Sequence, residues 1–159
     1  MRDPSRAAFL FRRAAPLDPL ASLVKDAPTG IEVMTMLDVV LRRFESPDET
    51  RVFEKGKLEI VRLGGVTIGK ASYEPGWRWS QHVSPGAGTP LCEVEHVGLV
   101  LSGRAMAAMK DGSQIELSAG SLFYVPPLPH DSWVIGDEPY VSLHFLGADQ
   151  YATNNAESR

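Results

Sequence analysis

Four histidines and a single cysteine are the residues of this 159-residue chain with the most versatile side-chain chemistry. Imidazole serves as a general acid or base, a hydrogen-bonding group or a metal ligand. Each of His82, His96 and His130 lies at the start of, or within, a predicted strand and follows a turn rich in glycine or proline. The shared context predicts that these three side chains act together, whereas His144 and Cys92 need separate arguments.

The elements that would position these histidines are short strands. Glycine and proline together make up 26 residues, which suits many turns better than a helical bundle. About ten apolar or alternating segments follow one another at turn spacings of 8–12 residues, as in an antiparallel sandwich or barrel. Residues 77–83 and 93–101 are two of these strands, and Asp111-Gly112 is a strong two-residue hairpin signal.

The organisation that follows is one all-β domain with appendages. Residues 1–35 form an N-terminal extension with a short helix near 19–26, because Asp18 can cap it and Pro19 suits its first position. Residues 36–147 form the barrel, and residues 148–159 form a polar tail that we expect to fray. Translation could start at Met1, Met34 or Met36.

The glycine and histidine spacing resembles the cupin family over roughly residues 36–147. Gly76 is followed by five residues and His82, and His96 is followed by six residues and Gly103, as in the first cupin motif. Gly120, five residues and then Pro126 match the second motif, with His130 soon after. This chain has Ser84 where the motif has its second histidine, and His96 replaces the motif glutamate.

The resemblance implies an antiparallel jelly-roll β-barrel, the double-stranded β-helix of RmlC-like cupins. It also implies a divalent transition metal (iron, manganese, nickel, zinc or copper) inside the barrel. Because neighbouring strands lie about 4.8 Å apart, inward side chains from several strands can converge on one ion. His82, His96 and His130 are then the candidate metal ligands, and a metal-free barrel with acid/base or ligand-binding histidines is the alternative.

The other polar candidates are predicted to lie away from this centre. On a regular strand Cys92 is in phase with His96 but about 13 Å from it, so we expect a rim thiol or a small core residue. Cys92 could join the site only if residues 89–91 bend the start of the strand back. His144 alternates with Val141, Leu143 and Phe145, which as the apolar set should face the core, so His144 is expected outside or in a subunit interface. Glu93 and Glu95 are out of phase with His96 and should face away from it.

Aromatic side chains next to the motif positions are candidates for the lining of a pocket. With Cys92, the candidates are Trp79, Tyr124 and Trp133, and Trp77 is similarly placed. They could stack on a planar substrate, and the alternative is packing of the barrel interior or of a dimer.

Composition excludes several classes of partner. The net charge of −4 and the pI near 5.5 leave no basic surplus for nucleic acid. A single cysteine fits a reducing compartment, and no apolar run reaches the roughly 18 residues of a membrane span. We therefore expect a cytoplasmic protein that binds a small molecule, and a homodimer formed through edge strands.

Function remains open between two classes at this level. The first is a metal-dependent cupin enzyme of dioxygenase, lyase or isomerase type acting on a small organic molecule. The second is a small-molecule-binding or sensor cupin without turnover. The same fold hosts both classes, so the site itself must decide between them.

Overall fold

The computed structural model describes residues 39–153, and the helix predicted near residues 19–26 lies outside them. The described part holds nine strands and two short helices. The strands are β1 (Glu49–Phe53), β2 (Gly56–Leu63), β3 (Val66–Tyr73), β4 (His96–Ser102), β5 (Arg104–Met109), β6 (Gln114–Ser118), β7 (Leu122–Val125), β8 (His130–Val134) and β9 (Tyr140–Leu146), and the helices are α1 (Trp79–His82) and α2 (Ser84–Ala87). None of the helices among these residues has the length and apolar character needed to cross a bilayer.

The strands form two antiparallel sheets. One has the order β1-β2-β3-β9-β4-β7 and the other β6-β5-β8, and an isolated bridge between Arg78 and Trp133 extends the second sheet beyond β8. Counting β3 as the first of eight strands, and the Arg78 segment as the second, the sheets have the orders 1-8-3-6 and 5-4-7-2. This is the jelly-roll order, and the predicted all-β class is confirmed.

Local sequence accounts for the hairpins within these sheets. Leu58 and Ile60 share one face of β2 and are fully buried, and Glu59 and Val61 on the other face are also buried, so the middle of the strand is covered on both sides. The predicted turn at Asp111-Gly112 connects β5 and β6, and Gly112 has a φ of 92° that favours glycine. At the edge of the larger sheet, β7 exposes Leu122 and Tyr124, while the homodimer expected at such an edge stays a prediction.

The second jelly-roll strand is interrupted soon after it begins. Arg78 pairs with Trp133, and the Val134 N–H donates to the Trp77 carbonyl at 3.0 Å. The chain then leaves the sheet as α1 and α2. Extended structure was predicted throughout residues 77–83, and this was wrong beyond Arg78. Helix α2 carries proline in its first turn and ends at Gly88, whose φ of 74° stops a helix readily.

The chain returns to this sheet at Cys92. Cys92 and His130 form a second isolated bridge, with both backbone N–H groups donating across it at 2.9 Å. In the antiparallel register of Arg78 and Trp133, an uninterrupted strand would place Gln81 opposite His130. Cys92 stands there instead, because the intervening segment loops out of the sheet. The interruption therefore places Cys92, instead of Gln81, opposite His130 of β8.

Aromatic residues fill one end of the space between the sheets. The Trp77 ring stacks on Tyr73 with 3.8 Å between centroids and an interplanar angle of 4°. The Tyr140 ring is also nearly parallel to that of Tyr73, at an interplanar angle of 11° with ring centroids 5.9 Å apart. The core joins side chains from β2, β3, β4, β5, β8 and β9, so both sheets contribute to one apolar interior.

The chain after β9 folds back onto the core. Ala148 and Tyr151 are buried, and the Tyr151 hydroxyl lies 3.0 Å from that of Tyr73. The Arg51 guanidinium of β1 donates to the carbonyls of Ala148, Asp149 and Tyr151, which satisfies the backbone acceptors of this turn. The prediction of a frayed tail from residue 148 was therefore wrong for residues 148–151, because a tyrosine in the polar tail reaches the interior.

Arg51 is expected to hold this C-terminal turn against the core. We predict that Arg51→Met lowers the free energy of unfolding by about 1.5–3 kcal/mol, because it removes hydrogen bonds from a charged, half-buried donor. Urea unfolding would measure the loss, and hydrogen exchange would show faster exchange at the amides of Gln150 and Tyr151, which donate to Gly147.

The matched control is Arg62→Met. Arg62 is more exposed than Arg51 and pairs with the same Glu49 carboxylate at 2.8 Å. Its removal should cost only about 0–1 kcal/mol. Equal costs for the two variants would show that Arg51 contributes only its ion pair with Glu49, and not a clamp on the C-terminal turn.

Candidate metal centre

One thiol and two imidazoles converge in the interior. Cys92, His96 and His130 each offer one ligand atom, and these atoms all lie within 4.8 Å of one another. The Cys92 Sγ lies 3.4 Å from the His96 Nε2. All three side chains are at least 96% buried. Among the described residues this is the group whose spacing fits a metal ion. Ligand atoms that each lie about 2.0–2.3 Å from one zinc ion are necessarily less than 4.8 Å from one another.

The fold brings the three together from separate segments. His96 is the first residue of β4 and His130 the first of β8, while Cys92 occupies the bridge opposite His130. The separation of about 13 Å expected between Cys92 and His96 was wrong, because it assumed extended strand between them. Strand β4 begins only at His96, so the residues before it turn and bring the thiol back to the imidazole. Cys92 therefore lies in the cluster, which was expected from the sequence only if the chain before β4 were bent.

The His130 ring is oriented for metal binding. Its Nδ1 lies 2.7 Å from the Leu128 carbonyl oxygen, which can only accept. The Nδ1 therefore carries the proton, and the neutral ring keeps its lone pair on Nε2. Metal-ligating histidines commonly hold their second nitrogen in this way, which fixes both tautomer and ring orientation.

Burial sets the protonation of the free cluster. Desolvation, with smaller contributions from His144 and His130, lowers the pKa of His96 to about 2. Burial also lowers the pKa of His130 and raises that of Cys92 to about 12. Both imidazoles are thus neutral and ready to donate lone pairs, whereas the thiol must release its proton when it binds an ion.

His144 lies beside this cluster. It is buried, its ring centroid is 5.3 Å from that of His96, and its Nε2 is 3.1 Å from the Ser142 Oγ. Placing it outside the barrel was therefore wrong. The two faces of β9 were correctly separated by their alternation, but the inward face is Tyr140, Ser142 and His144. The apolar set faces outward, with Phe145 40% exposed, while the inward His144 ring meets the rings of His96 and Tyr151.

His82 is not brought to the cluster. It ends α1, and its Nδ1 lies 2.9 Å from both the backbone N and O of Arg78. Its side chain lines a surface groove with residues of β1, while the interior cavity is lined by other residues. Of the three histidines singled out by motif spacing, the structure brings together His96 and His130. The looped-out segment carries His82 away from the cluster, and Cys92 lies opposite His130.

A cavity of about 50 Å³ adjoins the cluster, which is room for a few water-sized groups. Its lining is Tyr73, Trp77, Trp79, Cys92, His96, Ala105, Ala107, Leu117, Phe123, Val125, His130, Ser132, Tyr140, Ser142, His144 and Tyr151. Trp79 and Cys92, two of the residues predicted as candidates for the lining of a pocket, line this cavity. Tyr124 instead is exposed and donates to Glu95, and Trp133 packs under the Arg78 guanidinium.

Four buried nitrogens around the cavity have no hydrogen-bond partner within the described residues. They are the Nε1 of Trp77 and Trp79 and the Nδ1 of His96 and His144. An unpartnered buried polar group costs about 1–3 kcal/mol, so native proteins rarely keep several in one place without a use. Their concentration here indicates a place where a further group, an ion or a small molecule, completes the bonding.

Two members of the site were missed by reasoning on motifs. His144 was placed by the hydrophobicity of its strand, although its alternation with Ser142 and Tyr140 marked one polar-aromatic face. Tyr151 had no local signal, because it stands in a short polar stretch after the last strand. Only the return of the chain over the core shows that both side chains line the cavity.

Comparison with known proteins adds solved structures only, because no family model and no curated protein matches the chain. A protein of unknown function from Rhizobium leguminosarum is 22% identical over 67% of this chain and 95% of its own, with a TM-score of 0.44. Oxalate decarboxylase from Lactobacillus farciminis is 18% identical over 62% of this chain and 30% of its own, with a TM-score of 0.46. A protein of unknown function from an Acinetobacter species is 16% identical over 62% of this chain and 90% of its own, with a TM-score of 0.47. The fold assignment therefore depends on the strand order of the chain itself.

Proposed function

We propose that this jelly roll binds one divalent transition metal ion through the Cys92 thiolate and one ring nitrogen each of His96 and His130. The observation that carries the proposal is the convergence of these three buried ligand atoms within 4.8 Å. The Nδ1–H of His130, donated to a backbone carbonyl, is the type of outer support that metal-binding histidines have. Three protein ligands leave a coordination position for an exogenous group.

The donor set favours zinc, with iron and copper next. Thiolate is a soft ligand that suits zinc and copper, and imidazole suits zinc, copper, iron and nickel. Manganese prefers carboxylate, carbonyl and water oxygens, and no carboxylate lines the described part of this cavity. Of the five metals implied by the cupin resemblance, a site that contains the Cys92 thiolate therefore suits manganese least.

The activity that we propose is metal-dependent chemistry on a small organic molecule. A bound ion supplies a Lewis acid or a centre for dioxygen. The buried rings of Trp77 and Trp79 give the cavity apolar walls, and the hydroxyls of Ser132 and Ser142 provide hydrogen bonds to orient a small molecule there.

A second candidate function is ligand binding without turnover. One observation favours it: along the described lining, no aspartate, glutamate or lysine is present to act as acid or base beside the ion. Proton transfer would then depend on the histidines and tyrosines alone. Product analysis after incubation of the zinc-loaded and iron-loaded protein with small diketones, thiols and phenols separates the two, since a binding module would return such compounds unchanged.

Metal content tests the proposal directly. Purified full-length protein, stripped by chelation and dialysed against Zn²⁺ or Mn²⁺, should retain about one zinc per chain and little manganese. Loading with Co²⁺ should give an intense thiolate-to-cobalt absorption that Cys92→Ser removes. Substoichiometric zinc, or a cobalt spectrum unchanged by Cys92→Ser, would overturn the proposed site.

A further inference from the structure

The charge balance of the cavity restricts what the proposed metal ion can accept. Within the described part of the chain, the lining has no lysine, arginine, aspartate or glutamate. Its other ionisable groups are three histidines, three tyrosines and Cys92. Phenols are neutral near pH 7, and histidines that ligate a metal do so as neutral imidazoles. The thiolate is consequently the single anion that the chain offers to the ion.

Charged groups just outside the lining do not alter this balance. Asp131 lies next to His130, but the Arg78 Nε donates to it at 2.7 Å, so the two charges form a pair. The Ser80 N–H and hydroxyl donate to the same carboxylate at 3.0 and 2.9 Å. Glu93 follows Cys92 in sequence and is exposed to solvent, which screens its charge. Neither carboxylate therefore changes the charge balance inside the cavity.

A divalent ion bound to one thiolate and two neutral imidazoles leaves a net charge of about +1 in a buried space. One monoanion would neutralise it. A dianion would reverse it to about −1 with no cation nearby to pair with, and burying an unpaired charge is costly. The cavity of about 50 Å³ also admits only compact groups.

From this balance we propose that the open coordination position takes one compact monoanion, such as a small thiolate, an enolate, azide or a monocarboxylate, and discriminates against dianions. The inference rests on the proposed metal site and deepens it, because it names the charge class of the group that enters. It follows from Cys92 standing opposite His130, since a neutral ligand in that place would leave a net charge of about +2.

Competition between acetate and oxalate on the cobalt-loaded full-length protein tests the inference. Free Co²⁺ in water binds the chelating dianion more tightly than acetate, so a reversed order would reveal the cavity. We expect acetate and azide to shift the cobalt absorption bands, and oxalate to need at least a tenfold higher concentration for the same shift. Acetamide, which has the shape of acetate without its charge, should bind more weakly than acetate.

Cys92→His provides a charge-changing variant, because it replaces the thiolate by a neutral imidazole. The preference for acetate over oxalate should fall at least tenfold in this variant and stay unchanged in Leu122→His, which places an imidazole at an exposed site on β7. Should Cys92→His not load cobalt, the comparison of acetate and oxalate on the unaltered protein still decides.

The outcomes separate this inference from the proposed function. Failure of the unaltered protein to bind cobalt would overturn the metal site and the inference together. Normal cobalt loading with oxalate bound as tightly as acetate, or more tightly, would overturn the inference and leave the metal site standing. Cobalt loading with acetate preferred would support both.

Discussion

His96→Ala is expected to weaken zinc binding by at least about 100-fold, since even outer support of a metal ligand is worth 10–100-fold in affinity. His130→Ala should weaken zinc binding by a similar factor. The hydrogen bond from His130 Nδ1 to the Leu128 carbonyl leaves the lone pair of Nε2 free to bind the metal, and alanine removes it. His82→Ala should leave zinc affinity within about twofold, since its ring contacts the Arg78 backbone and lines a different surface. Competition with a chromophoric chelator measures all three constants on the same scale.

These three variants also distinguish the ligand set predicted from the sequence, which includes His82, from the cluster in the structure, which includes Cys92. Motif spacing singled out His82 together with His96 and His130, whereas the structure brings Cys92, and not His82, to those two histidines. Equal losses for His82→Ala and His96→Ala would return the site to the three histidines. Circular dichroism of each variant controls for folding, since His96 and His130 are buried and His82 is not fully so.

The second large effect is expected on stability. Trp77 is the largest of the fully buried side chains among the described residues, and its ring stacks on Tyr73 at 3.8 Å. We predict that Trp77→Ala lowers the free energy of unfolding by about 3–5 kcal/mol, the range for removal of a large buried aromatic side chain. Such a loss is a large part of the roughly 5–15 kcal/mol that stabilises an ordinary domain.

Urea unfolding followed by circular dichroism measures this loss. Leu122→Ala is the control, because Leu122 is 75% exposed at the edge strand β7 and should cost within about 0.5 kcal/mol. If Trp77→Ala does not fold, Trp77→Phe keeps the stacking partner for Tyr73 and should retain part of the stability. A cost below about 1 kcal/mol for Trp77→Ala would show that the stacked aromatics are not the centre of the core.

Trp77→Ala is also expected to affect the metal site indirectly. Trp77 packs on Tyr73, and the Tyr73 hydroxyl meets that of Tyr151 at 3.0 Å. Tyr151 in turn lies against His96, with ring centroids 5.4 Å apart. The aromatic stack and the C-terminal turn thus support one wall of the cavity, and positions of ligands within about 0.5 Å depend on such support.

Much of the fold was accessible from local sequence. Alternating segments, the Asp111-Gly112 turn and the density of glycine and proline predicted an all-β chain, and the strand order confirms a jelly roll. These features were predictable because alternation with period 2 and turn chemistry depend on neighbouring residues only. The same locality explains the error at residues 79–83, because a strand-like pattern does not show that the segment leaves the sheet as a short helix.

The candidate site was predictable only in part. His96 and His130 could be chosen from spacing because each begins a strand after a turn. Cys92 and His144 could not be placed, since the position of the first depends on where β4 starts and that of the second on which face of β9 turns inward. Hydrophobicity chose the wrong face for His144, because its interior partners, Ser142 on the same face and His96 on β4, are contacts that an apolar count of the strand does not include.

The sequence by itself determined the all-β class and the candidate histidines of β4 and β8. Only the tertiary structure decided which candidate ligands lie together. It removed His82 by looping out the segment after Arg78, placed Cys92 opposite His130, and brought His144 and Tyr151 to the cavity. The physical reason is that a metal site is fixed by register and by the return of distant segments over the core. Both depend on pairings between residues far apart in the chain, which local patterns do not encode.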